Sequence, residues 1–210
     1  MGVSTEALVV PHGVYDIFRL DDLRREDVLA HFPGIGPDDF VVLYFGHVET
    51  RKGIIEFLQA SERLAGEAGI KFVVAGKNDL AGEVAQELER ARGRANLILH
   101  DHLIPFEAVQ RYFTVADVVA LPYREGTTSG VMKLAMAFSK PVIASDVGDL
   151  RETLRDWPGR LVDTHELNDG LVREILDMRA GYIALHAGVA GAGAKYSWQV
   201  IGKAYQAYLS

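Results

Sequence analysis

Short apolar segments alternate with helical stretches along most of this chain, and no other feature restricts the possible folds as strongly. Six of these segments are apolar almost throughout, which is typical of strands that are covered on both faces of a sheet. Strands joined by helical crossovers predict an α/β fold built on a doubly wound parallel sheet of about six strands. The predicted strands are Val41–Gly46, Lys71–Gly76, Asn96–His100, Asp117–Tyr123, Pro141–Ser145 and Gly159–Asp163.

Helical periodicity fills the intervals between the predicted strands, and three further helical stretches close the chain. The predicted helices are Gly53–Gly69, Asp79–Gly93, Pro105–Ala116, Ser129–Ser139, Gly148–Arg155, Glu166–Met178, Tyr182–Tyr196 and Ser197–Leu209. A Rossmann-like sheet of this kind binds ligands beyond the carboxyl ends of its strands. The loops to search are therefore those after Phe45, Gly76, His100, Pro122, Ser145 and Val162.

The first 40 residues fit this alternation less well than the rest. They contain a short extended segment with a turn, Val9–Phe18, followed by a short helix and a loop, Arg19–Asp39. We therefore predict a linker-like segment with a short helix at residues 1–40 and one α/β domain at residues 41–210. A domain of that length can be served by a single hydrophobic core.

Charge and composition exclude several classes of partner. The net charge of −7, without any block of five like charges, argues against a nucleic-acid surface. Cysteine is absent, which removes disulfides and thiolate chemistry and is compatible with a reducing compartment. No apolar run approaches the ~18–20 residues of a membrane span, and the N-terminus lacks a signal-peptide pattern. We expect a soluble, cytoplasmic protein.

The loop Phe45–Gly53, with the sequence FGHVETRKG, places cations at the start of a predicted helix. Gly46 allows close backbone approach, and the cations come from His47, Arg51 and Lys52. Cations oppose the helix dipole at this end, so a bound anion such as a diphosphate would explain them. A solvated Arg-Lys pair explains the spacing equally well.

Small and hydroxyl residues precede the next candidate helix, within the stretch Tyr123–Ser145. One hydroxyl among Thr127, Thr128 and Ser129 can cap this helix, and the first backbone amides of the helix then point outward. A plain N-cap is the alternative, although it does not require a glycine on each side. Both loops lie on the same edge of the sheet, so together they indicate an anion site more strongly than either alone.

Other motifs give weaker indications. His100 and His102 could share a metal only with a third ligand from elsewhere, so ordinary loop histidines are the better interpretation. No G-x-G-x-x-G, P-loop or G-x-S-x-G pattern occurs, which removes the main support for dinucleotide, P-loop and hydrolase sites. No metal and no cofactor are predicted.

The order of these motifs resembles the C-terminal, donor-binding half of retaining glycosyltransferases of the large group 1 family, which have the GT-B fold. The resemblance covers Val9 to Leu209 and rests on FGHVETRKG, VVAGK, the stretch from ADVVALPY to GDLRE, GRLVD, and the ending AKYSWQVIGKAYQAYL. It implies that the anion is the diphosphate of a sugar nucleotide, bound by residues 41–210 without a metal. Many members of the family build bacterial polysaccharides and lipid glycans.

The resemblance also implies roles for individual residues. Lys52 matches the diphosphate-binding lysine of the family, and a one-residue shift brings Glu125 into the place of its first glutamate. These two are the candidate catalytic residues. The candidate donor-binding residues, with Leu103 and Ile104 near the expected nucleotide base, are Gly46, His47, Arg51, Lys52, Gly76, Leu103, Ile104, Gly126, Thr127, Thr128, Ser129, Gly130 and Val131.

Two positions depart from the family pattern. His47 stands where an arginine is usual, which predicts weaker or pH-sensitive donor binding. The second glutamate of the family binds the ribose hydroxyls, and here it is replaced by Leu134, or by Lys133 when the alignment is shifted to include Glu125. The TTSG loop resembles a subset of the family in which hydroxyls and amides contact phosphate or sugar.

Such a chain is expected to be incomplete as an enzyme. In two-domain members the acceptor site comes from an N-terminal domain, so we expect a donor domain that needs this domain or a partner subunit. It should bind nucleotide without detectable transfer, and any peripheral membrane association would run through the missing half. The alternatives are a degenerate non-catalytic module that assembles with a partner protein, or another doubly wound enzyme such as a sugar-nucleotide epimerase or an oxidoreductase.

The last predicted helix carries a stripe of Trp198, Ile201, Tyr205 and Tyr208 at helical spacing. In the family this helix commonly crosses back to the N-terminal domain, so the stripe could be a docking surface. The interpretation we favour is that the stripe belongs to the core.

Overall fold

Six parallel strands form one sheet in the computed structural model, which describes residues 12–77 and 82–209. The strands are β1 Phe40–Phe45, β2 Ile70–Ala75, β3 Leu97–His100, β4 Val118–Leu121, β5 Val142–Ser145 and β6 Gly159–Val162. Their order is β3-β2-β1-β4-β5-β6, so the sheet is wound outward in both directions from β1 and β4. The predicted doubly wound α/β fold is confirmed, and predicted and observed strand ends differ by about one or two residues.

Helices flank the sheet in the predicted order. They are α1 Arg25–Val28, α2 Ile54–Arg63, α3 Glu83–Ala91, α4 Val109–Val115, α5 Gly130–Ala137, α6 Leu150–Leu154, α7 Leu167–Ala180, α8 Tyr182–Ala192 and α9 Trp198–Leu209. Helix α2 ends earlier than predicted, at the C-cap Leu64, whose ψ of 14° is not helical. The chain then turns into β2 through Gly69, which has a φ of +76°. In the part of the chain that is described, no helix is long and apolar enough to cross a bilayer.

Apolar side chains cover both faces of the sheet. Along β1, Val41 and Leu43 pack into one core, while Val42 and Tyr44 pack into the other, and none of the four is more than 1% exposed. This alternation follows from strand geometry, which directs successive side chains to opposite faces. Double burial is the reason that the strand sequences are continuously apolar.

Residues 12–39 pack against one face of the sheet. Val28 and Phe32 are each 1% exposed, and both belong to the same core as Val41. The predicted division of the chain at residue 40 stays a prediction, and residues 1–11 of its first segment lie outside the described residues.

The segment before α1 is joined to the beginning of α9. The amide of Val14 donates to the carbonyl of Tyr196 at 3.1 Å, and the indole Nε1 of Trp198 donates to the carbonyl of Val14 at 2.9 Å. The Trp198 ring also lies so close to Gly13 that a Cβ there would approach it to 2.5 Å. Residues 184 positions apart in sequence are therefore held side by side.

The prediction that the α9 stripe is core is wrong for most of its length. Ile201 is 5% exposed, whereas Trp198, Tyr205 and Tyr208 are 49%, 51% and 51% exposed. Helix α9 meets the rest of the domain through its first turns, so the later aromatic residues remain exposed although their spacing is that of a core-facing helix.

An ion pair and a lysine lie together at the amino-terminal edge of the sheet. The guanidinium of Arg25 donates two hydrogen bonds to the carboxylate of Asp117, at 2.8 and 3.0 Å. Lys140 precedes β5 and lines the same cavity as this pair. Burial lowers the pKa of Lys140 to about 8. The carboxylate of Asp117 acts to raise this pKa, and the charge of Arg25 acts to lower it further.

Replacing Lys140 by methionine should raise the free energy of unfolding at pH 7. The unfolded chain keeps this proton up to a pKa of 10.5, whereas the folded chain releases it near 8, so the folded state is penalised fully below pH 8. The penalty disappears as the pH rises from about 8 to 10.5, so the advantage of Lys140→Met should shrink over that window. Urea denaturation across this pH range measures it.

The matched control for this substitution is Lys203→Met, which removes a lysine from an exposed position of α9. It should not reproduce the stabilisation at pH 7. An advantage of Lys140→Met that stays constant up to pH 10.5 would contradict the assignment of the effect to the lysine charge.

Candidate functional site

A cavity of about 390 Å³ lies at the carboxyl ends of β1 and β4, where the strand order reverses. Its walls come from the loop after β1, from the loop after β4 with the start of α5, and from the segment before α1. Ligands of doubly wound sheets bind at this kind of edge. The lining residues are Tyr15, Phe18, Phe45, Gly46, Arg51, Lys52, Tyr123, Gly126, Thr127, Thr128, Ser129, Gly130, Val131 and Leu134.

Lys52 gives the cavity a cation that is not neutralised by a partner. Its ammonium makes no hydrogen bond or ion pair to residues 12–77 or 82–209, and it lies 3.8 Å from the place of a Cβ on Gly46. Burial lowers the pKa of Lys52, while the nearby Glu49 raises it and Arg51 lowers it further. A half-buried ammonium that forms no ion pair with a described residue favours an anionic ligand, because a bound anion would raise its pKa back toward the ordinary value.

The other cations of this loop interact with Glu49. Arg51 Nε lies 2.5 Å from Glu49 Oε2, and His47 Nδ1 lies 3.8 Å from Glu49 Oε1. Arg51 lines the cavity, but His47 does not. Glu49 therefore offsets the charge of Arg51, and Lys52 dominates the positive charge of this wall.

Two of the predicted glycines allow neighbouring loops to approach. Gly46, with a φ of +104°, lines the cavity opposite Val131, whose Cγ2 lies 3.4 Å from the place of a Gly46 Cβ. Gly76 has a φ of +152°, and a Cβ there would meet the carbonyl oxygen of Gly46 at 1.8 Å. Gly46 is therefore part of the site, whereas Gly76 supports the loop that carries Gly46.

Ser129 is the N-cap that was expected among the three hydroxyl residues. Its hydroxyl accepts a hydrogen bond from the amide of Met132 at 3.2 Å and lies 3.1 Å from the hydroxyl of Tyr123. Ser129 is only 4% exposed, so this hydroxyl is already engaged. Any contribution of Ser129 to ligand binding runs through its backbone.

The first turn of α5 borders the cavity. Gly130 and Val131 line it, and no described residue accepts a hydrogen bond from their amides. The N-terminus of this helix carries partial positive charge, and such free amides bind anions. Thr127 and Thr128 are exposed beside these amides, with hydroxyls suited to phosphate or sugar oxygens.

The aromatic part of the cavity wall was missed in the sequence. Tyr15 comes from the segment before α1, and its ring lies 3.2 Å from the place of a Cβ on Gly130. Phe18, Phe45 and Tyr123 complete this part of the wall. Phe45 and Tyr123 lie at or next to the ends of predicted strands, so their position was an available signal. Nothing in the local pattern places Tyr15 at this edge.

The positions matched to the family's ribose-binding glutamate carry no acid. Leu134 lines the cavity and is 7% exposed, so it presents an apolar surface there. The ammonium of Lys133 lies 5.5 Å from the centre of the Tyr196 ring and is not part of the cavity wall. Burial lowers the pKa of Lys133, with Asp149 acting in the opposite direction.

Besides His47 and Gly76, three more predicted site residues do not line the cavity. Glu125 is exposed, Leu103 is 72% exposed, and Ile104 packs partly buried against the core. The catalytic role of Glu125 and the base contacts of the other two stay predictions.

The histidine pair at the end of β3 has aromatic neighbours. His100 Nδ1 lies 2.8 Å from the hydroxyl of Tyr112, and the rings of His100 and His102 are 5.8 Å apart. Burial lowers the pKa of His100, and the nearby His102 lowers it further. Within residues 12–77 and 82–209, no three His, Asp or Glu side chains are grouped to hold a metal.

The two charged loops of the cavity are joined through their backbones. The carbonyl of Arg51 accepts hydrogen bonds from the amides of Arg124 and Glu125, at 2.8 and 3.2 Å. Gly53 has a φ of +72°, and a Cβ there would meet the carbonyl oxygen of Pro122 at 1.8 Å. A residue other than glycine at position 53 would therefore separate the loops.

Residues 39–180 of the chain match a family model described as glycosyl transferases group 1. The chain is 32% identical over 168 residues to a D-inositol 3-phosphate glycosyltransferase from Xylanimonas cellulosilytica, covering 75% of this chain and 39% of that protein. It is 30% identical over 213 residues to a phosphatidyl-myo-inositol mannosyltransferase from Mycobacterium leprae, covering 95% and 52%. The chain therefore spans about half of these relatives or less.

Solved structures show the same fold. Anabaena Alr3699/HepE in complex with UDP has a TM-score of 0.75 at 18% identity, covering 96% of this chain and 56% of that one. The C-terminal domain of a glycosyl transferase group 1 family protein from Francisella tularensis has a TM-score of 0.62 at 20% identity, covering 88% and 94%. The predicted fold, that of the C-terminal half of GT-B glycosyltransferases, is thus confirmed.

Replacing Gly53 by alanine should destabilise the protein and loosen the loop after β4. The left-handed φ alone costs an alanine roughly 1–2 kcal/mol, and the clash with Pro122 adds to it because the loop must move. Urea denaturation should show the loss, and amide hydrogen exchange should be faster at Arg124 and Glu125. The control is Gly66→Ala, where a Cβ meets nothing within 4 Å. Equal effects of the two substitutions would contradict the close approach.

Proposed function

Because the chain belongs to the glycosyl transferases group 1 family, we propose that it is the donor-binding part of a retaining glycosyltransferase. The cavity at the carboxyl ends of β1 and β4 holds the diphosphate of a nucleoside-diphosphate sugar. A nucleotide ligand is in keeping with the shared fold of Anabaena Alr3699/HepE, whose structure was determined in complex with UDP.

The observation that carries this proposal is the ammonium of Lys52, which has no partner among the described residues and shares its cavity with helix amides that likewise donate to none of them. Lys52 lies beside Gly46, and Gly46 in turn lies beside Val131 at the start of α5. One anion in the cavity can therefore meet both the lysine and the helix N-terminus. A diphosphate carries enough charge and enough acceptor oxygens to use both.

In the reaction we propose, the bond between the anomeric carbon and the diphosphate oxygen breaks, and negative charge develops on the diphosphate. Lys52 and the amides of Gly130 and Val131 stabilise that charge, because they are already oriented before the reaction. The acceptor hydroxyl bonds to the same face of the sugar, and its proton passes to the departing diphosphate. Protein cations and the helix dipole serve in place of a metal ion.

Transfer also needs an acceptor site, and we propose that this comes from an N-terminal domain or a partner subunit. The chain spans only 39% and 52% of the two relatives described above. The isolated chain is therefore proposed to bind nucleotide without detectable transfer. A cytoplasmic location is proposed as well, since the cysteine-free composition suits a reducing compartment.

Leu134 favours a second candidate function. It lines the cavity where the family resemblance places the ribose-binding carboxylate, so a nucleotide would lose that contact. A degenerate, non-catalytic domain that assembles with a partner protein would have this feature. The two candidates differ in a simple observable, because the degenerate domain binds no nucleotide even at millimolar concentration.

Isothermal titration calorimetry with UDP, GDP and ADP should show saturable binding of at least one nucleotide. Lys52→Ala should weaken that binding by about 1.4 kcal/mol or more, a tenfold change, because the cavity loses its unpaired cation. Lys71→Ala is the matched control, since Lys71 lies on β2 with its ammonium bonded to the carbonyl of Ala95 at 3.1 Å. Flat titrations with all three nucleotides would move the conclusion to the degenerate domain.

Nucleotide affinity should fall at alkaline pH, and the fall should begin at a lower pH than it would for a lysine with an ordinary pKa. Burial lowers the pKa of Lys52 in the free protein, whereas a bound diphosphate raises it, so binding takes up a proton between the two values. Calorimetric titrations in buffers of different ionisation enthalpy measure this proton uptake. They should be made above about pH 7.5, where a phosphate with a pKa near 6 is already ionised. Lys52→Ala should abolish it, and Lys71→Ala should not. Proton uptake that persists in Lys52→Ala would assign it to another group.

A further inference from the structure

Glu56 is a buried carboxylate close to the donor site. Only one of its two oxygens is paired with a cation. It lies in the first turn of α2 and is 1% exposed. Its Oε1 accepts a hydrogen bond from Nε of Arg124 at 2.6 Å, and a second guanidinium nitrogen also contacts it. Its Oε2 is buried and has no hydrogen-bond donor among the described residues.

Arg124 is held by α2 and by the turn before it at two separate points. Its side chain bonds to Glu56, and its backbone amide donates to the carbonyl of Arg51 at 2.8 Å. The amide of Glu125 bonds to the same carbonyl at 3.2 Å. The beginning of the loop after β4 is therefore fixed to the segment that contains Lys52.

These contacts lie next to the two segments that form the anion-binding walls of the cavity, the segment with Lys52 and the loop that leads into α5. Arg51 precedes Lys52 in sequence, and Arg124 is followed within the same loop by Gly126 and the residues that lead into α5. Glu56 and Arg124 line a neighbouring cavity and are not part of the donor cavity wall. They can therefore act on a bound anion only through the loops that they hold.

We propose that Glu56 and Arg124 are positioning residues of the donor site, which fix the separation between Lys52 and the N-terminus of α5. This inference rests on the proposed function for its consequence in nucleotide binding. An ion pair suits this task better than an apolar contact, because charge and hydrogen-bond geometry together specify one arrangement. Burial makes the pair a modest source of net stability, but it restricts the geometry, since the carboxylate has no other partner among the described residues.

The two residues should differ in the effect of their loss. Arg124→Ala leaves a buried carboxylate without any partner, whereas Glu56→Gln leaves a guanidinium that is already half exposed, at 55%. Arg124→Ala should therefore be the more damaging substitution. The double substitution Glu56→Gln/Arg124→Ala should be milder than Arg124→Ala alone, because it removes the orphaned charge.

The first measurement is amide hydrogen exchange in the ligand-free chain. Arg124→Ala should accelerate exchange at positions 124 and 125 by on the order of tenfold, while the β3 amides keep their protection. Glu56→Gln should give a smaller acceleration at the same two positions. Arg124→Lys, which keeps a cation there, should restore part of the protection.

The second measurement is the affinity for whichever of UDP, GDP and ADP binds the wild-type chain most tightly. Arg124→Ala should weaken binding about tenfold although it removes no group from the cavity wall, and Arg124→Lys should recover part of the loss. The matched control is Arg63→Ala, which breaks another ion pair of α2, the one with Asp169 at 2.7 Å. It should change neither exchange at positions 124 and 125 nor nucleotide affinity.

The two measurements separate this inference from the proposed function. If the wild-type chain binds no nucleotide, the proposed function fails, but the exchange experiment still decides whether the ion pair orders the loop. Unchanged exchange at positions 124 and 125 in both single variants would overturn the inference. Faster exchange with unchanged nucleotide affinity would also overturn it, because the pair would then stabilise the loop without positioning the site.

Discussion

The carbonyl groups of neighbouring loops occupy places that side chains would fill, and the candidate site depends on these contacts. At Gly53 the oxygen of Pro122 lies where a Cβ would be, and at Gly76 the oxygen of Gly46 does the same. Backbone contacts of this kind leave far less freedom than contacts between flexible side chains. They bring the loop that carries Lys52 against the loop that leads into α5, so that a single anion can meet both.

Local arrangement, and not total charge, makes this edge of an acidic chain suitable for an anion. The chain has a net charge of −7, yet two acids near the cavity are already paired with neighbouring arginines. Glu49 pairs with Arg51, and Glu56 pairs with Arg124. Lys52 forms no ion pair with a described residue, so its ammonium is available to a ligand. The field at the cavity is therefore set by a few residues close to it.

The sequence was informative wherever a structural requirement acts over a few adjacent residues. Continuous apolar runs identified all six strands, since burial on both faces leaves no room for polar residues. The loop glycine Gly46 was found because its requirement is equally local, and the helix cap was narrowed to three adjacent hydroxyl residues, of which Ser129 is the one. Long-range contacts escaped it, as Tyr15 at the cavity and Glu56 beneath Arg124 show. The exposed Tyr205 was misjudged because periodicity reports the face of a helix but not whether another element covers it.

The contact between the segment at Val14 and the start of α9 has a consequence for how the domain opens. Each partner supplies a hydrogen-bond acceptor to the other, and the Trp198 ring covers Gly13. If α9 detached, the carbonyl of Val14 would lose its hydrogen-bond donor, and the backbone at Gly13 would lose the ring that covers it. If the segment at Val14 detached, the Trp198 indole would lose its acceptor. Local unfolding follows such shared contacts, not sequence proximity. We therefore expect these two segments, which come from opposite ends of the described chain, to unfold locally as one cooperative unit.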